Sequence, residues 1–360
     1  MKAVILLLTV LAFYLPASAG DSLTAPNLFI ITIDGIRWQE VFLGLDEGIA
    51  ATDAYTGDAV LLRQMYGGES RQESRSRLMP FLWNIIAKRG QIYGNRTYEN
   101  HVNVANWYKF SYPGYNEMLT GNADPRLIPN TPVANENVNV LEFINSQPGY
   151  TGKVAAFTSW NIFPFILNEQ RCNFYINSGY EALDRKDTVS EMIDSLQRFI
   201  RKKGHTRHDE ITYLAAREYI KQEHPKVLLV SFGEADEYAH HGEYDNYIRS
   251  IANTDRMIGE LWAMIQADPF YRNNTTFLIT TDHGRGKKKT TWTDHLFLIR
   301  GSGAIWLAMM GPDILPFGEI KEKRNIYQRQ FAQTMAGFLN LRFVSPHSDT
   351  GHAIDFNRQQ

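Results

Sequence analysis

The chain has 360 residues, of which 44% are hydrophobic and 21% are charged, and its formal net charge is −2. This composition is that of a globular protein; it excludes a disordered, collagenous or coiled-coil chain, and the near-neutral charge gives no nucleic-acid-binding signature. Cys172 is the only cysteine, which excludes an internal disulfide framework and a metal site built from clustered thiolates. A transition-metal site in this sequence must therefore use carboxylates and imidazoles.

The N-terminus has the pattern of a secretory signal peptide. Lys2 is followed by an apolar stretch, residues 3–14, and then by the small residues Ala17-Ser18-Ala19, which resemble a cleavage site. We expect residues 1–19 to be removed and residues 20–360 to form a single domain, exported to the periplasm or secreted, without a stable membrane anchor. The alternative is an uncleaved N-terminal anchor, although the apolar stretch is short for a membrane span.

The rest of the chain alternates short apolar runs with segments of helical periodicity. Continuous apolarity predicts strands with both faces covered. The predicted strands are 27–33, 153–157, 226–232, 276–280 and 304–308. The predicted helices are 78–89, 188–201, 210–223, 246–267 and 327–339. This alternation predicts an α/β fold, a three-layer α/β/α sandwich with a mostly parallel central sheet.

Two stretches fit this alternation less well. Residues 44–77 are polar, charged and rich in glycine, so we expect a long surface loop there. Residues 163–206 begin with aromatic side chains and end near the basic run Arg201-Lys202-Lys203. We treat this second stretch as a candidate cap or insertion that covers the functional site.

Three acidic residues follow predicted strands. Asp34 comes directly after the first strand, Asp236 lies four residues after Phe232, and Asp282 follows Thr281. Ligands of open α/β sheets bind outside the carboxyl ends of the strands, so these carboxylates should meet at one edge. There they would raise one another's pKa unless a cation neutralised them. Each aspartate alone is more often a helix cap or turn residue, but the set of three predicts a metal site.

Three histidines accompany these carboxylates in the sequence: His240, His283 and His295. A lone histidine is usually a hydrogen-bonded structural residue. Carboxylates combined with imidazoles, however, suit zinc or manganese better than calcium or magnesium, which prefer oxygen ligands. Zinc is the ion we expect, with manganese as the alternative.

A serine lies between the first two of these carboxylates. Ser111 begins the stretch Ser111-Tyr-Pro-Gly-Tyr115, which is compatible with an ordinary helix N-cap followed by an early proline. The functional interpretation is a nucleophile at a helix N-terminus, where the helix dipole favours an alkoxide and an incoming anion. A neighbouring metal ion would help the hydroxyl to lose its proton near neutral pH.

Taken in order, these residues resemble the pattern of the alkaline phosphatase superfamily of bimetallic hydrolases. The resemblance covers most of residues 20–360 and is nearest the nucleotide pyrophosphatase/phosphodiesterase branch, with metal-ligand spacing similar to that of phosphopentomutase. It implies two metal ions. One would be held by Asp34, Asp282, His283 and the nucleophile Ser111, and the other by Asp236, His240 and His295.

The sequence departs from that branch in three places. Ser111 stands where the branch usually has threonine. Asn130 lies slightly closer to the nucleophile than the corresponding asparagine of the branch, and it is our candidate for contacting the transferred phosphoryl group. His295 follows an aspartate, as it does in the mutase branch, and His241 competes with His240, although the spacing favours His240.

These features predict a metal-dependent phosphate ester hydrolase, either a phosphodiesterase or a phosphomonoesterase, that acts on a small phosphate ester. The alternatives are a sulfatase or a phosphoryl-transferring mutase on the same fold, or a non-catalytic secreted metal-binding protein. Tyr115 stands where the Cys/Ser-x-Pro-x-Arg motif of sulfatases has its arginine, and Cys172 lies in no such motif. The sequence therefore favours phosphate over sulfate.

Overall fold

Strands and helices alternate along the residues that the computed structural model describes, which are 26–200, 204–346 and 351–356. The predicted signal peptide, residues 1–19, lies outside these ranges. The strands are β1 (Asn27–Ile33), β2 (Gln91–Tyr93), β3 (Asn100–Asn103), β4 (Val154–Thr158), β5 (Tyr175–Ser178), β6 (Val227–Phe232), β7 (Thr275–Thr280), β8 (Ala304–Ile305), β9 (Leu307–Met310), β10 (Gly318–Glu319) and β11 (Arg324–Tyr327).

The helices follow the same order in the chain. They are α1 (Trp38–Leu43), α2 (Glu47–Ala50), α3 (Ala59–Tyr66), α4 (Arg71–Leu78), α5 (Ala87–Arg89), α6 (Ser111–Thr120), α7 (Val140–Asn145), α8 (Phe163–Ile166), α9 (Thr188–Phe199), α10 (Asp209–Glu223), α11 (Glu234–His240), α12 (Tyr244–Ala267) and α13 (Phe331–Phe338). A π-helical turn, Leu82–Ile86, precedes α5, and two 3₁₀ turns lie at Arg96–Tyr98 and Gln328–Gln330.

Eight strands form one sheet in the order β10–β2–β9–β7–β1–β6–β4–β5. β1 lies between β6 and β7 and pairs in parallel with both, so that Ile30 is opposite Leu229 and Leu278. β9 is antiparallel to both of its neighbours, β2 and β7. This sheet confirms the predicted α/β fold with a mainly parallel central sheet.

Helices cover both faces of the central sheet. Phe29, Ile31 and Ile33 of β1 pack in one apolar cluster with residues of α10 and α12. The alternate residues, Leu28 and Ile30, pack in a second cluster with residues of α6, α7 and α13. Because successive side chains of a strand point to opposite faces, the two clusters form the two core layers of an α/β/α sandwich.

The predicted run 304–308 divides between two sheets at Trp306. β8 belongs to a small sheet of order β11–β3–β8, whereas β9 belongs to the central sheet. The predicted loop 44–77 is wrong, because the structure has the helices α2, α3 and α4 there. The side chains of Asp46, Asp58 and Ser70 accept hydrogen bonds from backbone N–H groups of their first turns, which stabilises short helices of polar composition.

The stretch 163–206 contributes elements to the sandwich itself. Its strand β5 pairs in parallel with β4 at the edge of the central sheet, and α9 packs Ile193 into the core cluster that contains α10. Whether this stretch also serves as a cap stays a prediction. None of the helices in the described ranges is long and apolar enough to cross a membrane.

Candidate metal centre

The three predicted carboxylates lie at one edge of the central sheet. Asp34 directly follows β1, Asp282 lies just beyond β7, and Asp236 is in the first turn of α11, which follows β6. Because β6, β1 and β7 are adjacent parallel strands, their carboxyl ends bring together residues that are distant in the chain. The backbone N–H of Gly35, for example, donates to Asp282 Oδ1 at 3.2 Å across a sequence separation of 247 residues.

The first group of side chains surrounds His283. Its Nε2 lies 3.4 Å from Asp34 Oδ1 and 3.4 Å from Asp282 Oδ2. Its Nδ1 lies 3.0 Å from the backbone carbonyl oxygen of Gly284 and donates to it, and burial lowers the pKa of His283 to about 4. The neutral ring therefore presents an unprotonated Nε2 to the carboxylates.

Two carboxylate oxygens in this group have no hydrogen-bond donor. Asp34 Oδ1 and Asp282 Oδ2 are buried and accept no hydrogen bond from the described residues. Burial, followed by the charges of Asp282 and Asp236, raises the pKa of Asp34 well above its usual range. Burial also raises the pKa of Asp282 to about 7, with Asp236 adding to the effect. Buried carboxylate oxygens that face an imidazole lone pair fit a divalent cation, which would satisfy all of them.

The second group surrounds His240. Its Nε2 lies 3.2 Å from Asp236 Oδ2 and 3.1 Å from His295 Nε2. His295 Nδ1 donates to the backbone carbonyl oxygen of Lys109 at 2.9 Å, so its Nε2 is also free to bind a metal. Asp236 Oδ1 lies 4.0 Å from His283 Nε2. Asp236 therefore lies between the two groups. It could join His240 and His295 around one ion, or Asp34 and His283 around another, because the donor atoms of each set lie within 4.8 Å of one another.

Arg285 is a component of this centre that sequence reasoning missed. Its buried guanidinium forms an ion pair with Asp236 Oδ1, and its Nε donates to the backbone carbonyl oxygen of Trp292 at 3.0 Å. Although burial acts to raise the pKa of Asp236, the charges of Arg285, His240 and His295 hold it well below its usual range. The only sequence signal was a basic residue two positions after His283, which by itself predicts nothing.

Ser111 is the first residue of α6 and its hydroxyl points at the first group. Ser111 Oγ lies 3.2 Å from His283 Nε2, and the side chain is buried. The helix can approach the sheet edge because Gly114 has no side chain: a Cβ there would lie 2.6 Å from the backbone oxygen of Asp282. The N-terminus of α6 is thereby held against the predicted ligands.

Two further residues of α6 connect this helix to its surroundings. Tyr115, which sequence reasoning considered only as an argument against a sulfatase, donates its hydroxyl to Asp34 Oδ2 at 3.2 Å and accepts from Ser231 Oγ at 3.1 Å. The backbone N–H of Tyr112 donates to Asn130 Oδ1 at 3.0 Å. Asn130 is therefore placed next to Ser111, in a left-handed backbone conformation with φ of 52°.

The structure thus brings the predicted residues to one place. The residues at this edge are Asp34, Ser111, Asn130, Asp236, His240, Asp282, His283 and His295. His241, the competitor of His240, directly follows α11 and belongs to neither group of possible metal ligands. The roles of these residues as ligands, nucleophile and substrate contact stay predictions.

Comparison with known proteins shows which proteins the chain is similar to. The sequence profile of the metalloenzyme superfamily matches residues 125–298, a range that includes Asp236, His240, Asp282, His283 and His295. This range is slightly less than half of the chain, and over it the chain is similar to the superfamily. Comparison with the sequences of curated proteins gives no significant match.

Solved structures show which known fold this chain shares. The alkaline phosphatase PafA superposes with a TM-score of 0.61 at 9% sequence identity, over 93% of this chain and 99% of that one. The lipoteichoic acid synthase LtaP from Listeria monocytogenes gives 0.57 at 13% identity, over 91% and 75%. The phosphonate monoester hydrolase of Agrobacterium radiobacter gives 0.54 at 12% identity, over 91% and 76%. The chain therefore has an alkaline-phosphatase-like fold.

Proposed function

We propose that this protein is an exported phosphate ester hydrolase with Ser111 as its nucleophile and two divalent ions, for which zinc is the expected metal. One observation carries the proposal: Ser111 Oγ lies 3.2 Å from His283 Nε2, beside the two buried carboxylate oxygens of Asp34 and Asp282 that have no partner. The proposed nucleophile would thus lie next to the proposed cation site at the sheet edge.

We divide the seven proposed ligands into two sets, one for each ion. Asp34, Asp282, His283 and Ser111 would hold one, and Asp236, His240 and His295 the other. Bound divalent ions supply positive charge that lowers the pKa of the serine hydroxyl and neutralises the oxygens of the phosphoryl group. Arg285 already offsets the charge of Asp236, so the second set carries less net negative charge than the first.

Ser111, the N-terminal end of α6 and Asn130 have separate roles in the proposed reaction. The Ser111 Oγ forms a bond to phosphorus as the bond to the leaving oxygen breaks, which gives a phosphoseryl enzyme that water then hydrolyses. The N-terminal end of α6 favours the negative charge on Oγ and on the substrate. The backbone N–H of Tyr112 holds the Asn130 Oδ1 atom, whereas the Asn130 Nδ2 group has no hydrogen-bond partner among the described residues. It can donate to a phosphoryl oxygen.

The position of Tyr115 supports phosphate rather than sulfate as the transferred group. This residue takes the place of the motif arginine of sulfatases, and its hydroxyl is used to hold Asp34. Resemblance to the pyrophosphatase branch favours a diester over a monoester. Export rests on the signal-peptide pattern of residues 1–19.

The test is a substrate comparison with one preparation of protein. The protein is stripped with a chelator, loaded with zinc or manganese, and assayed with p-nitrophenyl phosphate, bis-p-nitrophenyl phosphate and p-nitrophenyl sulfate. We expect zinc-dependent turnover of the phosphate esters, with the diester preferred. Sulfate turnover that matches either phosphate ester would refute the assignment, as would activity that survives complete removal of metal.

A further inference from the structure

A cavity of about 790 Å³ lies beside the metal centre. It is bounded by the start of α1, the end of β3 and the loops around residues 287 and 300–303, and its lining includes Trp38, Arg96, Lys109, Lys287, Arg300 and Tyr327. Lys109 links the cavity to the centre, because its backbone carbonyl oxygen accepts a hydrogen bond from His295. Ser111 follows Lys109 by two residues.

The charged residues that line this cavity all have the same sign. They are Arg96, Lys109, Lys287 and Arg300, and no aspartate or glutamate lines the cavity. None of the four forms an ion pair with a carboxylate of the described ranges. The whole chain has a net charge of −2, so this concentration of unpaired cations is a local feature. We call it the cationic cavity.

Arg96 is the most confined of these cations. Its Nη2 donates to the backbone oxygen of Val102 at 3.0 Å and to Asn103 Oδ1 at 2.6 Å, but its Nε is buried without an acceptor. Burial lowers the pKa of Arg96 to about 10. A guanidinium that is desolvated without a counterion is destabilising, and a bound anion would offset that cost.

The course of the Lys109 side chain is also fixed by the fold. Lys109 has a left-handed backbone conformation with φ of 57°, which is uncommon for a residue other than glycine. Its side chain passes Gly303, where a Cβ atom would lie 3.1 Å from Lys109 Cε. The missing side chain at Gly303 leaves room for the lysine within the cavity wall.

We propose that the cationic cavity is a second anion site, which binds a phosphate group carried by the leaving group of the substrate. This inference rests on the proposed function and narrows it to esters whose leaving group is itself phosphorylated. Arg300 offers paired N–H donors, Arg96 contributes a desolvated positive charge, and the two lysines offer point charges, a combination that suits the several oxygens of a phosphate. Lys288 and Lys289 neighbour the cavity in sequence but do not line it, and they provide the control.

The first experiment measures anion binding without catalysis. Metal-free protein is titrated with inorganic phosphate by calorimetry at low ionic strength, because the uncompensated carboxylates then repel phosphate from the metal centre. We expect binding that weakens about ten-fold or more in the double variant K287Q/R300Q. The double variant K288Q/K289Q removes the same charge from the adjacent surface and should bind as the parent does. Absence of binding, or equal loss in both variants, overturns the proposal.

The second experiment tests the substrate class. Zinc-loaded protein is assayed with 1,3-propanediol monophosphate and its bisphosphate, which differ by the second phosphate. We expect kcat/KM to be about ten-fold higher for the bisphosphate, with the ratio falling toward one in K287Q/R300Q and unchanged in K288Q/K289Q. A ratio near one in the parent overturns the proposal. Absence of zinc-dependent hydrolysis of both esters contradicts the proposed function instead, and calorimetry then decides the anion site by itself.

Discussion

Tyr115→Phe should weaken metal binding without disturbing the packing of the helix. The Tyr115 ring is fully buried and meets Phe163 edge-on at a centroid distance of 4.6 Å, contacts that phenylalanine would keep. The substitution removes the hydroxyl that donates to Asp34 Oδ2 at 3.2 Å. Asp34 would then have neither oxygen held by a side chain, because its Oδ1 has no partner.

The size of the effect follows from this bond. A hydrogen bond to an ionised carboxylate contributes about 1.5–3 kcal/mol, and removal of a residue that orients a metal ligand typically costs 10–100-fold in metal affinity. The two figures agree, since 1.4 kcal/mol corresponds to a factor of about ten. We therefore expect zinc to bind roughly ten- to a hundred-fold more weakly to the first site.

Competition with a chromophoric chelator measures this affinity, and circular dichroism checks the fold. Tyr112→Phe is the matched control: the Tyr112 hydroxyl is on the same helix but donates to the backbone oxygen of Val133 at 2.7 Å, away from the carboxylates. It should lower stability and leave zinc affinity unchanged. Equal zinc affinity of Tyr115→Phe and the parent would refute the role given to this hydroxyl.

The remaining predictions concern the nucleophile, the second metal set and the dependence of stability on pH. Ser111→Ala should lower kcat by several orders of magnitude with metal content retained, whereas Ser195→Ala should have no effect, because the Ser195 hydroxyl makes only exposed hydrogen bonds within α9. Near-normal turnover of Ser111→Ala would exclude covalent catalysis by Ser111. Asp236→Asn should reduce bound zinc from two ions toward one by elemental analysis, and should lower the free energy of unfolding by about 3 kcal/mol, because it leaves the buried charge of Arg285 without its partner. Burial raises the pKa of Asp255 to about 7. The contribution of Asp255 to stability is therefore complete below about pH 4, the pKa of aspartate in the unfolded chain, and is lost as the pH rises through 7. The free energy of unfolding, measured by urea titration, should therefore fall by roughly 2 kcal/mol less between pH 5 and pH 7 in Asp255→Asn than in the parent. An equal fall in both proteins would show that Asp255 is not its source.

The long apolar strands could be predicted from sequence because they lie in the middle of the sheet. β1, β6 and β7 are buried along their whole length, so their apolar runs are uninterrupted and their ends are marked by the carboxylates. Short strands such as β2 and β10, with three and two residues, are too brief to produce a pattern. They exist because neighbouring strands offer them hydrogen bonds, which is tertiary information.

The residues of the candidate site also fall into those that could be predicted from the sequence and those that could not. Residues that directly follow long strands, such as Asp34 and Asp282, could be placed at one edge from the order of the elements. Arg285 and Tyr115 could not, because their contacts with Asp236 and Asp34 depend on how the loop after β7 and the helix α6 pack on the sheet. The helices between residues 44 and 77 were hidden by polar composition, although Ser70 and Glu73 have the spacing of a capping box.

The position of β1 between β6 and β7 has a consequence for folding kinetics. Its two partner strands come from distant parts of the chain, and the bond from Gly35 to Asp282 spans 247 residues. Neither donor set is complete until these three strands are aligned, so the metal ions cannot guide early steps of refolding. Long-range pairing of this kind forms slowly, and interactions made after the rate-limiting step act on the unfolding rate. Bound zinc should thus slow unfolding and so lengthen the lifetime of the native state. The refolding rate should be the same in the presence of zinc as in the presence of a chelator.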